Sequence, residues 1–298
     1  MRRLLVLAFI ALAACRPEAP PGPQRPAAAK AETDHGDDAE RASLTNIARG
    51  ATIVSRTGEA FLGVAADATI DGNPGTFWAN PPHDLPQSIV IAFPARVRID
   101  RVGLRTARVE YTANHVSFDA SPDGASWRPL TTITAAATSA AQWFPVTPAD
   151  ASFLRVTAVD GRPADLRLFS ILAQGAELEP PHPGSLEGCW SVNGGPAVFE
   201  KRGGRIVGAV SVGREPIFLD GGGDGRVYRF VWIRGNDYGL ALITVSPDGK
   251  HLTGLVWHEE AIPLFRADSW FGQAEACPAG GVKPRDDVPQ ALLERVGR

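Results

Sequence analysis

Methionine is almost missing from this 298-residue chain (one residue, at the start), and tyrosine and cysteine number three each. Long apolar runs are equally scarce. Leu4 to Leu12 is the most apolar stretch, and its roughly nine residues fall well short of the ~20 that a membrane-crossing helix needs. A strong charge of either sign is lacking too. Thirty Lys and Arg against 33 Asp and Glu leave a formal net charge of −3, which argues against a nucleic-acid partner. Neither His-Glu-x-x-His nor Gly-x-Ser-x-Gly occurs, so no catalytic motif is found and the expectation is a non-enzyme. Sustained helical periodicity is rare, whereas short alternating runs recur among 31 glycines and 25 prolines. That is an all-β composition.

Met1-Arg2-Arg3 followed by the short apolar run suits a secretory signal, and Leu12-Ala13-Ala14-Cys15 ends it in small residues and a thiol. The stretch resembles the lipobox of bacterial lipoproteins. The resemblance implies cleavage before Cys15 and acylation of its thiol and new amine. The lipid bilayer would then be a partner, gripped at ~0.8 kcal/mol per buried methylene. The alternative is an ordinary signal cut after Ala13, and either route exports the chain. Arg16, where retention signals favour Asp, implies the outer membrane if the cell has one. With Cys15 assigned, Cys189 and Cys277 remain as an even pair, 88 positions apart. In an oxidising compartment a disulfide is their expected state, contributing ~4 kcal/mol by loop entropy. Two unpaired buried thiols are the alternative.

Residues 1–15 are thus the expected signal, and 16–43, Pro/Ala-rich and then charged, the expected disordered tether. In it His35, Asp37 and Asp38 read as solvated spacer. The first folded unit spans 44–176. Ile53-Val54, Ser88 to Phe93, Val97 to Leu104, Val116 to Ala120 and Phe153 to Ala158 read as strands. Asp71-Gly72-Asn73-Pro74-Gly75, Pro81-Pro82 and Ser121-Pro122-Asp123-Gly124 break them. Trp78 and Trp127, following turns, are expected in the core.

Asn46-Ile47-Ala48-Arg49-Gly50 and Ala68 to Trp78 are similar to the coagulation factor 5/8 type C, or discoidin-like, domain, whose bacterial branch includes family 32 carbohydrate-binding modules. Pro86 to Ile91, Val97 to Leu104, Ser121-Pro122-Asp123-Gly124 with Trp127, and Phe153-Leu154-Arg155-Val156 follow in the family's order. The resemblance implies a jelly-roll β-sandwich with ligand-binding loops at one end. In many relatives the Asp-Gly-Asn-x-x-Thr loop wraps calcium, which here would engage Asp71, Asn73 and Thr76. Relatives often add a glutamate where this chain has Ser170, which weakens the site, and Asp71 and Asn73 could instead cap a turn. Saccharide sites pair an aromatic face with polar donors. The loop residues offering these are Asn80, His83, Arg105, Arg108, Tyr111 and Asn114, with Tyr111 as the stacking ring.

A proline cluster marks 177–185 as a linker. Residues 186–278 read as a small antiparallel β-meander or barrel closed by the disulfide, and 279–298 as a tail with a short amphipathic helix over 288–296. Tyr228, Phe230 and Trp232 share one face, as do Leu240, Leu242 and Thr244. Gly204 to Gly208 and Lys250 to Gly254 share a hairpin pattern, which suggests a repeated meander. Its opening, Gly188-Cys189-Trp190, is faintly similar to avidin-type and lipocalin-type barrels. Gly221 to Gly225 reads as a flexible turn, and His258-Glu259-Glu260 as a solvated strand end. The expected function is non-covalent binding of a saccharide or other envelope polymer. Two alternatives stay open. One is a structural or protein-interaction role. The other is a hydrolase whose carboxylates come from Asp220, Asp224, Asp237, Glu259 or Glu260.

Overall fold

The computed structural model describes residues 32–34, 38–57, 65–80, 85–106, 113–161, 166–213, 215–258 and 267–285. Cys15, His83, Arg108, Tyr111, Glu259, Glu260 and the expected helix over 288–296 lie outside them.

Alternating apolar residues drive the first body. Its elements are β1 (Glu32–Asp34), α1 (Asp38–Ala42), β2 (Thr52–Arg56), β3 (Trp78–Asn80), β4 (Gln87–Thr106), β5 (Ala113–Ser121), β6 (Arg128–Thr134), β7 (Ala141–Gly161) and β8 (Leu166–Glu177). β4 and β7 are each long enough to belong to two layers. Their first and second halves pair with different neighbours, giving β2-β4-β7-β5-β6 on one side and β3-β8-β4-β7-β1 on the other. The register breaks between Ala92 and Val97 and between Ile99 and Arg101, next to Pro94 on β4 and Pro145 and Pro148 on β7. Proline has no N–H for a ladder, and strands that switch layers do so at such bends. Ile89, Ile91, Phe93, Ile99, Phe118, Phe144 and Trp78 fill the space between the layers. Trp127 departs from its expected core position. It is half-buried, with the Arg155 guanidinium 4.5 Å from its ring centroid.

The expected tether ends earlier than position 43. β1 adds an edge strand to β7, and α1 lays Glu40 into the sandwich at 3% exposure. There Glu40 pairs with Arg105, itself buried, and accepts from Ser170 Oγ at 3.1 Å. A carboxylate buried to that extent needs such a partner. The local sequence around it reads only as polar spacer.

The second body is a closed eight-stranded antiparallel barrel of β9 (Gly188–Val192), β10 (Gly195–Arg202), β11 (Arg205–Val210), β12 (Ile217–Gly223), β13 (Tyr228–Arg234), β14 (Asp237–Val245), β15 (His251–His258) and β16 (Asp268–Glu275). Each strand pairs with its sequence neighbour, and β16 returns to β9. Gly221 to Gly223 belong to β12 rather than to a flexible turn. Trp190, Phe199, Phe230, Trp232 and Trp270 fill the lumen. Small residues make room for them: a Cβ on Gly208 would lie 2.6 Å from the Phe199 ring. The Cys189–Cys277 disulfide, with Cα atoms 5.1 Å apart, sits where the last strand meets the first.

The linker over 177–185 is docked rather than free. Leu178 N donates to Arg96 O and His182 N to Pro94 O, both at 2.8 Å, and Tyr228 Oη donates to Gly184 O. The face of β14 that carries Leu240, Leu242 and Thr244 points out of the barrel, and part of it is buried against the sandwich. Leu255 of β15 belongs to the sandwich core, with Leu242, Trp257 and Phe271 packed around it. Ile53 N donates to Thr253 Oγ1 at 2.9 Å, while Thr244 Oγ1 donates to Ala51 O at 3.0 Å. Gly50, at φ +96°, lets the backbone approach the carbonyl of Arg226, where a Cβ would come within 2.9 Å. Glu177 clamps the seam, bonded to Arg49 of the sandwich and Arg226 of the barrel.

Candidate functional site

Strand pairing sets strand ends side by side within each layer, and the ends of the two layers are joined by short stretches of sequence, from Asn80 to Gln87, Thr106 to Ala113 and Gly161 to Leu166. Ala113 lies opposite Gly161, Asn80 opposite Leu166, Thr106 opposite Leu168, Gln87 opposite Ala158 and Arg56 opposite Ile89. His83 and Tyr111 lie outside the described residues, in the sequence between Asn80 and Leu85 and between Thr106 and Ala113. Asn114 stands exposed at the start of β5. Arg105 does not join them. Its guanidinium is committed to Glu40 and to Ser139 O at 2.7 Å, so it is a structural cation and not a ligand contact.

The same end carries residues that motif reading passes over. Trp78 and Leu168 pair facing inward, which turns Phe77, Phe169 and Arg167 outward. The two half-buried rings stand 5.2 Å apart, and the Arg167 guanidinium lies 4.9 Å from the Phe77 centroid. The signal was available as a period-two pattern around Trp78 and Leu168.

Asp71, Asn73 and Thr76 do come together. Thr76 Oγ1 is 2.6 Å from Asp71 Oδ2, 2.8 Å from Asn73 O and 3.4 Å from Ala68 O. Asp71 Oδ1 accepts from Asn73 N, and Asn73 Oδ1 from Gly75 N. One hydroxyl proton cannot serve three oxygens, so the loop is an oxygen-rich knot with a donor set that fits a hard cation. Burial pushes the Asp71 carboxyl up to about 7; the Thr76 hydroxyl and Asn73 N–H pull it down, and Asp67 and Glu40 add to the rise. A positive ion there would reverse that penalty.

Among the described residues, the three candidate barrel carboxylates, Asp220, Asp224 and Asp237, each meet an arginine. Asp220 accepts from Arg205 Nε at 2.7 Å, Asp224 pairs with Arg229, and Asp237 lies 3.5 Å from Arg234. His258 Nε2 is 3.2 Å from Asp268 Oδ2, and its ring meets Trp232 edge-on.

Residues 51–168 match the family model of the F5/8 type C domain. The remainder, including the barrel, lies outside that match. Among solved structures, the C-terminal domain of a chitobiase from Bacteroides fragilis is similar at 26% identity, covering 44% of this chain and 96% of its own, with a TM-score of 0.41. Chitosan-binding module 1 of a chitosanase/glucanase from a Paenibacillus species is similar at 24% identity, covering 45% and 98%, with a TM-score of 0.37. A Clostridium perfringens module, solved in complex with GalNAc-β-1,3-galactose, is similar at 17% identity, covering 41% and 92%, also at 0.37. No curated protein matches the chain.

Proposed function

We propose that this chain is an exported, lipid-anchored binding protein whose F5/8 type C sandwich holds a saccharide or other cell-envelope polymer without chemical change. The observation that carries the proposal is the gathering of the sandwich's strand ends at one pole, within the segment that matches the family model. His83, Tyr111 and Asn114 are the contacts we assign, with Phe77 and Phe169 as a neighbouring aromatic surface. Calcium, held by Asp71, Asn73 and Thr76, would neutralise the buried loop and stiffen that pole. Cys15 is the assigned acylation site, on the outer membrane where the cell has one. The arginine pairing of Asp220, Asp224 and Asp237 favours binding over hydrolysis, because catalytic pairs must face one sugar across a cleft.

The test is a screen of the mature chain against glycans and envelope polymers, in calcium and in chelator. Saturable binding that Tyr111→Ala weakens by about tenfold or more is the expected result, with loss in chelator marking the Asp71 loop as a cation site. Absence of binding in both conditions would overturn the saccharide reading. Radiolabelled palmitate incorporation, abolished by Cys15→Ala, tests the anchor.

A further inference from the structure

Where the sandwich leaves the barrel wall, a groove of about 360 Å³ opens between β2 and strands β15, β16 and β9. Its floor is a row of neutral polar side chains. His251 lies directly opposite Gln273, and Gln273 opposite Ser191, across three adjacent strands. Side chains of such a row point the same way, ~4.8 Å apart from strand to strand, so the three span about 10 Å. Burial pulls the His251 imidazole down from its ordinary value, so at neutral pH it offers one donor and one acceptor. Gln273 and Ser191 add amide and hydroxyl groups of both kinds.

The walls are tied by side-chain contacts. On one side the Arg56 guanidinium lies 3.5 Å from the centroid of the Phe271 ring. On the other, the Asn193 amide is tied to β16 by bonds to Ser269 O and Phe271 N at 2.7 and 2.9 Å. The Ile53–Thr253 bonds close the groove's inner end. Neither body forms this groove alone.

We infer that this interdomain groove is a second saccharide subsite, taking a neutral disaccharide unit of a polymer that also engages the sandwich's loop-bearing pole. The inference rests on the saccharide reading above and extends it to the barrel. Uncharged hydroxyls suit a floor of amide, hydroxyl and neutral imidazole, each able to donate and accept. The length of the row matches two sugar rings better than one. Arg56, at the end of β2, marks the side of the groove nearest the pole.

The experiment is titration of the mature chain with cellotetraose, chitotetraose and a galactotetraose, read by calorimetry and by amide NMR shifts. Shifts at Gly194, Gly272 and Gln273 are expected, and they should persist in Tyr111→Ala. The Ser191→Ala/Gln273→Ala variant should bind about tenfold more weakly, from the loss of two neutral hydrogen-bonding groups. Gln273 is exposed and Ser191 half-buried, so an unchanged melting temperature verifies that the variant folds. Shifts confined to Asn80, Ala113 and Asn114, with the double variant binding like the unaltered chain, would overturn the subsite while leaving the loop-pole reading intact. Failure of the unaltered chain to bind any of the three sugars would remove both.

Discussion

The two bodies of this chain solve strand pairing in opposite ways. In the barrel, each strand pairs with the next, and one long-range pairing, β16 with β9, closes the ring. That single pairing is the one the disulfide locks. In the sandwich, β4, β7 and β8 pair across long stretches of sequence with no covalent staple. Its long-range order rests on packing and on a buried ion pair, Glu40 with Arg105, that draws the preceding segment onto the sheet. Local topology needs help only at its seam; non-local topology must be specified throughout.

Reduction should separate the two most strongly. Cys189→Ser with Cys277→Ser, or reductant, should cost the barrel ~4 kcal/mol, lowering its transition in calorimetry while the sandwich unfolds near its original temperature. An equal drop in both would mean the bodies unfold as one. Glu40→Ala strikes the other partner: leaving Arg105 buried without its carboxylate should cost about 3 kcal/mol, read as a lower denaturant midpoint for the sandwich. Leu255→Ala tests the join. Removing this barrel side chain from the sandwich core should cost about 2–3 kcal/mol, read as a lower sandwich transition with the barrel transition nearly unchanged.

Smaller effects sharpen the electrostatic contrast. Asp71 has a folded value of about 7 against an ordinary 3.8, so folding favours its protonated form. The resulting penalty is absent below about pH 4, builds as pH rises, and is complete above about pH 7. In chelator, Asp71→Asn should therefore raise stability at pH 8 by roughly 1 kcal/mol given partial solvent screening, read as a higher melting point, and leave it unchanged at pH 4. Calcium should reproduce the gain at pH 8. At the seam, Arg226 and then Arg49 hold Glu177 down to about 2. The clamp's contribution is present above about pH 4.5 and fades as pH falls towards 2. Arg226→Ala should cost below about 1 kcal/mol at neutral pH, and its effect should vanish in acid.

The strands themselves were legible because a pleated surface imposes period two and turns demand Gly, Pro, Asn and Asp. The family resemblance located the sandwich, and the cysteine pair located the closure. Continuity was not legible. β4 read as two strands and β7 only in its second half, because Pro94, Pro145 and Pro148 interrupt the pattern, although a bend between layers is where such residues belong. The apolar face of β14 was visible without its partner, since alternation reports burial and not what buries. Arg105 read as a binding residue because its carboxylate lies 65 positions away in a segment of spacer composition. The floor of the interdomain groove depends on register between three strands, which no single strand displays.

The disulfide also decides how the molecule would yield under tension. A pull applied between the two chain termini crosses from Cys189 to Cys277 through sulfur, and the 88 positions between them carry no load. About 300 Å of contour length is thereby withheld from extension. The sandwich becomes the element that ruptures, while the strands of the barrel are spared the load.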